Sequence, residues 1–168
     1  VSGQEGFSNF KSDVLDLIEP NSWTGANFIN QTASQDIALY YRNDLFTFIS
    51  TSEINTAQTA GTRDVIEWRI IHNTSEKELY LYGVHLKASS GQSNADQRLE
   101  EATVLRNYLN DLDENFFIVA GDFNIYSNNQ SSEPAFEMLT GSSNNNNGRL
   151  YDPINRIGNW HNNSSFAD

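Results

Sequence analysis

Two stretches of aromatic and β-branched residues constrain the fold of this chain more than any other feature of its sequence. They cover residues 65–72 (VIEWRIIH) and 79–86 (LYLYGVHL), and the polar residues 73–78 lie between them. Aromatic and β-branched side chains favour strands, and two such runs around a short polar stretch are typical of a β-hairpin. We therefore expect an antiparallel pair of strands in the middle of the chain.

A helix and a further strand are predicted downstream of this hairpin. Residues 94–113, with Asn94 as the candidate N-cap, carry a stripe of apolar residues at helical spacing that should be buried: Leu99, Ala102, Leu105, Leu109 and Leu112. Residues 116–120 (FFIVA) form an unbroken apolar run, which is typical of a strand covered on both faces. Strands 79–86 and 116–120 then flank one helix, so their carboxyl ends should lie close together.

The N-terminal part adds a helix and two short strands. Residues 7–18 are predicted to form an amphipathic helix that ends before Pro20, with an apolar stripe made by Phe7, Phe10, Val14, Leu17 and Ile18. Residues 37–41 and 45–50 are strand candidates joined by a turn at residues 42–44. A brief helix should begin at residues 133–136, where Pro134 lies near its first turn. Strands mixed with helices indicate an α/β domain with helices packed outside the sheets.

Composition limits the class of protein. A length of 168 residues fits one domain, residues 1–168, and we see neither an internal repeat nor an interdomain linker. The chain has no cysteine, which excludes disulfides, thiolate metal sites and a cysteine nucleophile. No apolar run approaches the length of a membrane span. Ten basic and 22 acidic residues give a net charge of −12, which disfavours tight non-specific binding of nucleic acid but not metal-assisted phosphate chemistry.

The strongest chemical motif is Gly121-Asp122-Phe123-Asn124, directly after the apolar run at 116–120. Side chains two residues apart point to the same side of an extended chain, so Asp122 and Asn124 can converge on one ligand. Aspartate can orient a water molecule or bind a metal, and asparagine can donate to a phosphoryl oxygen. The alternative is a turn in which these residues satisfy backbone groups, and composition alone favours that alternative.

His85 is the second candidate, because it ends an otherwise apolar strand. Burying a histidine is unfavourable without a partner, and a lone histidine of this kind is more often a hydrogen-bonded core residue than a catalyst. Its position changes that balance: His85 and Asp122 end neighbouring strands on either side of one helix. We expect both to line one cleft with Asn124.

The combined pattern resembles the endonuclease/exonuclease/phosphatase family, which has the fold of deoxyribonuclease I. The resemblance rests on the strand ending in Val-His-Leu, the helix that begins near Arg98 and Glu101, and the strand ending in Gly-Asp-Phe-Asn. It extends from about Phe7 to Phe136; Arg63 resembles the family's arginine before the strand at 65–72. It implies an α/β two-sheet sandwich with outer helices, which this chain would contain in incomplete form.

The resemblance also implies an activity, the metal-dependent hydrolysis of phosphoesters, with a phosphodiesterase or nuclease favoured. His85 would contact the scissile phosphate, Asp122 would orient or activate the attacking water close to the metal, and Asn124 would hold a phosphoryl oxygen. The implied cofactor is Mg²⁺ or Mn²⁺, with Asp122 and Asn124 as its ligands in this chain. The partner is a phosphoester substrate, with nucleic acid among the candidates.

Two parts of the family pattern are missing from the sequence. Gln4-Glu5 matches the metal-binding dipeptide, but no apolar strand precedes it, so we expect the metal-binding Glu upstream of Val1 and Glu5 to be a solvated residue ahead of the first helix. No Asp-His pair follows Trp160, and His161 is predicted to lie in a loop. We therefore expect the chain to be truncated at both ends and nearly inactive alone, because members of a catalytic unit act together.

A second hypothesis of a different class remains open, a non-catalytic remnant or binding domain that keeps the fold without the chemistry. An upstream Gln-Glu strand and a downstream Asp-His pair in a longer protein would favour the enzyme. The segments at 133–135 and 152–155 resemble a bacterial secreted subgroup, so we expect a secreted or periplasmic protein. A first residue of Val1 without a leader predicts a mature or trimmed product. The sequence does not indicate the oligomeric state.

Overall fold

The computed structural model describes residues 1, 3–31, 35–57, 62–112, 116–127 and 131–154. The described helices are α1 (Gly3–Phe10), a π-helical turn (Lys11–Leu15), α2 (Asp16–Ile18), α3 (Gln92–Asp111) and α4 (Ala135–Thr140). The strands are β1 (Trp23–Gly25), β2 (Tyr40–Arg42), β3 (Phe46–Ile54), β4 (Val65–His72), β5 (Lys77–His85) and β6 (Phe117–Asp122). No described helix is both long enough and apolar enough to cross a bilayer.

A four-stranded sheet with the order β3-β4-β5-β6 forms the centre of the described structure. The predicted hairpin is confirmed: β4 and β5 pair antiparallel, with Trp68 opposite Leu81. The predicted β-α-β unit is confirmed as well, since β5 and β6 pair in parallel and α3 connects them. His85 and Asp122 are partners in that parallel register, so the two strands end side by side.

Helices cover one face of this sheet. The stripe on α3 formed by Ala102, Leu105 and Leu109 is buried and packs against a row of residues on the alternate positions of β5 and just beyond it: Tyr80, Tyr82, Val84 and Leu86. Helix α4, which begins after Pro134 as predicted, adds Ala135 and Leu139 to the same core. Burying side chains of this size stabilises the fold by about 1.5–3 kcal/mol each.

A second, two-stranded sheet covers the other face. Strands β1 and β2 pair antiparallel, and the segment around them packs on Ile66, Trp68 and Leu81 of the large sheet. On the far side of this small sheet, the ring of Phe7 in α1 stacks on Tyr40 at 4.9 Å between centroids. The order of layers is therefore helix, small sheet, large sheet and helices, an incomplete α/β sandwich with outer helices.

Strand β6 differs from its prediction. The run at 116–120 was expected to be covered on both faces, but β6 is the edge strand of the four-stranded sheet, and its inner-face residue Ile118 is 52% exposed. Phe117 and Val119 do pack on the helix-side core. The exposed face arises because the small sheet lies over β4 and β5 and, among the described residues, does not extend to β6.

The first helix also differs from its prediction. The residues at 7–18 are helical, but four of the five residues of the expected buried stripe are exposed: Phe10, Val14, Leu17 and Ile18, the last two at 78% and 70%. Phe10 precedes the π-helical turn, and its ring lies 5.3 Å from that of Tyr40. The π-helical turn over residues 11–15 adds one residue to a turn and rotates the later side chains away from the expected face. Leu15 is buried there instead.

Three local predictions were wrong in part. The strands expected at 37–41 and 45–50 lie on either side of a turn as β2 and β3, but β2 covers only Tyr40–Arg42, β3 extends to Ile54, and the two belong to different sheets. Helix α3 begins at Gln92 after Gly91, so Asn94 lies inside the helix and is not its N-cap; its side-chain amide donates to the carbonyl of Ser90, which precedes the helix. Glu5 lies inside α1 and is exposed, not ahead of the first helix.

Gly121 allows the close pairing of β5 and β6. Its φ is +139°, and a Cβ atom added there would lie 2.0 Å from the carbonyl oxygen of Val84 and 2.9 Å from its nitrogen. Backbone atoms cannot yield to such a contact without moving the strand. The glycine that precedes Asp122 is therefore required by the parallel pairing itself.

We predict that Gly121→Ala lowers the free energy of unfolding by about 3 kcal/mol or more, because it adds both a backbone clash and a strained φ. Gly91→Ala is the matched control: φ at Gly91 is +100°, but an added Cβ would have no neighbour within 4 Å. In that variant only the strained φ should matter, and the free energy of unfolding should fall by about 1–2 kcal/mol. Urea denaturation measures both, and equal losses would contradict the role given to the Val84 contact.

Candidate active site at the ends of two parallel strands

His85 and Asp122 lie side by side where β5 and β6 end. The Nε2 atom of His85 is 3.8 Å from Oδ2 of Asp122, and the histidine side chain is 17% exposed against 60% for the aspartate. Both occupy the strand positions that alternate with the helix-facing ones, so they lie on the face of Leu81 and Gly83. The distance is too long for a hydrogen bond, so each group keeps capacity for a ligand.

Asn124 lies in the turn that follows Asp122. Its φ is +50°, a left-handed conformation that asparagine adopts more readily than most residues. Its backbone N–H donates to Oδ1 of Asp122 at 3.0 Å, and its side-chain Nδ2 donates to the carbonyl of Leu86 at 3.1 Å. The turn expected as the alternative is present, and one oxygen of Asp122 closes it while the other faces His85. Because Asn124 is not extended, the alternation of side chains does not apply to it, and its convergence with Asp122 on one ligand stays a prediction.

Two positive charges and one negative charge act on His85. Burial lowers the pKa of His85, the charges of Arg63 and of the Val1 amino group act in the same direction, and Asp122 opposes them. Lowering the pKa of this group favours the neutral imidazole at pH 7, in which one ring nitrogen donates and the other accepts. Arg63 is held by a hydrogen bond from its Nε to the carbonyl of Gln35, and the Val1 amino group donates to the carbonyl of Asp36 at 2.8 Å.

Glu101 supports the end of β5 from the helix side. Its side chain is 1% exposed, and Oε2 accepts the backbone N–H of Lys87 at 2.8 Å. The other oxygen, Oε1, has no hydrogen-bond partner among the described residues. Burial raises the pKa of Glu101 to about 7, against the opposing effects of the Lys87 N–H bond and of Arg98.

The side chains near these strand ends fit a divalent cation only in part. Asp122 and Asn124 offer the carboxylate and amide oxygens that Mg²⁺ and Mn²⁺ prefer, and the Asp122 carboxylate is open to solvent. Among the described residues, however, no group of three or more His, Asp or Glu side chains could hold a metal ion. Mg²⁺ usually keeps several waters and uses one or two carboxylates together with substrate phosphate, so this pair fits a weakly held ion.

The structure brings together only some of the residues that the sequence singled out. His85, Asp122 and Asn124 share one edge of the sheet, whereas Glu5 is an exposed residue of α1. His161 and the loop predicted around it lie outside the described residues. Glu101 is a supporting residue whose role sequence reasoning missed, although a charged residue beside the buried stripe of α3 was a usable signal.

We predict that Glu101→Gln removes a pH dependence of stability. Because the folded-state pKa of Glu101 is raised, the folded chain binds the proton more tightly than the unfolded chain, and stability falls as the pH rises from 4.5 to about 7. A glutamine keeps an acceptor for Lys87 without the charge. The variant should therefore gain stability relative to the parent across this window, on the order of 2 kcal/mol by pH 8.

Urea denaturation at pH 5 and pH 8 measures this difference, with Glu100→Gln as the control because Glu100 is the exposed neighbour on the same helix. The control should show no such gain. A Glu101→Gln variant that tracks the parent at both pH values would show that the buried carboxylate does not titrate as described.

Comparisons with known proteins agree with this geometry at the level of fold. No family model matches the chain, and no curated protein matches it. Among solved structures, the human Nocturnin catalytic domain with bound sulfate is similar with a TM-score of 0.59 at 19% identity, over 80% of this chain and 53% of that one. An endonuclease/exonuclease/phosphatase family protein from Bacteroides thetaiotaomicron has a TM-score of 0.57 at 13% identity, over 80% and 49%.

A mannosyl-6-phosphatase from Bacteroides thetaiotaomicron is also similar, with a TM-score of 0.54 at 19% identity, over 76% of this chain and 52% of that one. The chain thus spans about half the length of the solved structures it matches. The layers, the strand order and these similarities lead to one conclusion: the chain has the deoxyribonuclease I-like fold of endonuclease/exonuclease/phosphatase proteins.

Proposed function

We propose that this chain carries part of the active site of a metal-dependent phosphoesterase that hydrolyses phosphodiesters. The observation that supports this most is the pairing of His85 with Asp122 across the ends of two parallel strands, with Asn124 in the following turn. A donor, a carboxylate and an amide at one edge match the needs of phosphoryl transfer, in which positioning and charge stabilisation supply most of the catalysis. The nearby positive charge of Arg63 favours an anionic substrate.

The proposed reaction is an in-line attack of water on phosphorus. The water oxygen forms the new P–O bond and loses a proton to Asp122, the bond to the leaving oxygen breaks, and the leaving group takes up a proton from solvent. Asp122 uses Oδ2 to orient the water and accept its proton, because Oδ1 is engaged by the Asn124 backbone. A ring N–H of His85 donates to a phosphoryl oxygen, and the second amide hydrogen of Asn124 donates to another.

A divalent ion, Mg²⁺ or Mn²⁺, would be held by Oδ1 of Asp122, which has a second lone pair besides the one that accepts the Asn124 N–H, and by Oδ1 of Asn124. When bound, it supplies charge neutralisation at the phosphoryl oxygens. The hydroxyl of Tyr126 lies 3.4 Å from that same Oδ1 and orients the amide so that its oxygen is directed away from Leu86.

The substrate class follows from the same groups and from the charge of the chain. One similar structure bears the name of a mannosyl-6-phosphatase, which acts on a phosphomonoester, so both esters belong in any test. A net charge of −12 disfavours long non-specific nucleic acid tracts and favours short or small phosphodiesters. Nuclease activity therefore needs a metal ion to screen the repulsion.

The chain alone should show little or no turnover. It spans about half the length of the similar structures, and two oxygen ligands are too few for tight metal binding. We propose that residues of a longer protein supply the remaining carboxylate and a second histidine.

We predict that the full-length protein containing this chain hydrolyses bis-p-nitrophenyl phosphate in the presence of Mg²⁺ or Mn²⁺ and loses this activity with EDTA. Asp122→Ala and Asn124→Ala should each lower the turnover number by a factor of roughly 10² or more, since each removes a group directed at the reacting phosphate. The matched controls are Asp111→Ala and Asn107→Ala, exposed residues of the same types on α3. They should stay within about twofold of the parent.

Three results would contradict the proposal in different ways. A full-length protein that hydrolyses neither a phosphodiester nor a phosphomonoester favours the hypothesis of a non-catalytic remnant. Activity that persists in EDTA contradicts the proposed dependence on a divalent metal ion. Robust, EDTA-sensitive turnover by the 168-residue chain would mean that Glu5 binds the metal or that His161 acts as the second histidine.

A further inference from the structure

Arg98 is a fully buried arginine on α3 behind the proposed active site. Its side chain is 0% exposed, and its guanidinium donates to two carbonyls of the loop after β5: Nη1 lies 2.7 Å from the oxygen of Lys87 and 2.9 Å from that of Ser89. We call residues 86–89 the His85 loop, because they continue directly from His85. The planar fork of an arginine can hold two carbonyls and a carboxylate at once, which the ammonium of a lysine cannot do in the same geometry.

The same guanidinium contacts the loop that carries Asn124. Arg98 lies 5.1 Å from the centre of the Tyr126 ring, within the range of a cation–π contact. The Tyr126 hydroxyl accepts the backbone N–H of Ser89 at 3.0 Å and is 3.4 Å from Oδ1 of Asn124. We call residues 123–127 the Asn124 loop. Arg98 and Tyr126 therefore join the two loops on which the proposed catalytic groups depend.

Glu133 balances the buried charge. It is itself 5% exposed, and its two oxygens accept from Nε of Arg98 at 3.1 Å and from Nη2 at 2.5 Å. Apolar residues at such a pair often stabilise a protein as well or better, because two ions must lose their water. A buried pair that also holds two loop carbonyls has a positional role that apolar residues could not supply.

A second buried arginine on the same helix shows what a purely structural role looks like. Arg106 is 3% exposed, and its guanidinium donates to the carbonyls of Met138 and Leu139 at 3.1 and 2.8 Å. It closes the end of α4 and the polar loop that follows, away from the ends of β5 and β6. The two arginines are alike in burial and differ in what they hold.

We propose that Arg98 is a positioning residue, which holds the His85 loop and the Asn124 loop in the relative placement that the reaction requires. This inference rests on the phosphoesterase function proposed above for the importance of that placement, but the placement itself can be measured without activity. Arg98 touches neither the substrate nor the metal in this scheme. It acts through the carbonyls of Lys87 and Ser89 and through Tyr126.

The test compares Arg98→Lys with Arg106→Lys in the full-length protein. Both substitutions keep the charge and remove a planar fork from a buried site of α3. Amide hydrogen exchange should rise by about tenfold or more at residues 86–89 and 124–126 in Arg98→Lys, since these amides lose their fixed surroundings. In Arg106→Lys the rise should occur at residues 139–150 instead. The turnover number should fall about tenfold or more in Arg98→Lys only, with the KM less affected.

Each outcome decides the inference. Unchanged exchange in the two loops of Arg98→Lys, or an equal loss of turnover in both variants, overturns it, as does faster loop exchange with an unchanged turnover number.

If the parent lacks activity, the proposed function fails, and the exchange pattern alone decides whether Arg98 orders the two loops. If Arg98→Lys does not fold, Tyr126→Phe takes its place, because it removes only the hydroxyl between the loops. Ser89 should then exchange faster and turnover should fall; no change in either overturns the inference.

Discussion

The parallel pairing of β5 and β6 is the interaction on which the rest of this structure depends. It places His85 opposite Asp122, and it continues beyond the strands through a bond from the Leu86 nitrogen to the Asp122 carbonyl at 3.0 Å. Parallel strands need a long crossover, which α3 supplies while covering the sheet. Gly121 permits the approach to Val84 at the last step before the aspartate. The placement of His85 beside Asp122 is thus a consequence of how the two strands end.

Two charged residues of α3, Glu101 and Arg98, bind the backbone just beyond that strand end. Glu101 accepts the N–H of Lys87, and Arg98 donates to the carbonyl of Lys87, so both backbone polar groups of this residue beyond β5 are bonded to α3. Burial disfavours the charged form of Glu101 and raises its pKa. Functional sites commonly keep buried polar groups despite their unfavourable burial, because an apolar side chain cannot fix the orientation of a backbone carbonyl.

The sequence predicted what local patterns determine and failed where distant parts of the chain decide. The strand at 65–72 matches β4, since its aromatic and β-branched composition and the polar stretch that follows both indicated a hairpin strand. The strand at 116–120 was correct in position but wrong in burial, because an apolar run does not reveal which layer reaches over it. In the helix at 7–18, a π-helical turn changes which side chains of its second half are buried. The Arg98–Glu133 pair joins residues 35 positions apart, which no rule of local spacing predicts.

The most direct test of the account is whether His85 and Asn124 respond together to a phosphate. Inorganic phosphate titrated into the isotope-labelled full-length protein with Mg²⁺ should shift the His85 ring signals and the Asn124 side-chain amide with one shared dissociation constant. His72, at the opposite end of the sheet, pairs with Phe46 and Lys77 and should not respond. A His85 signal that stays fixed, or that moves with a different affinity from Asn124, would contradict a single phosphate site at the ends of β5 and β6.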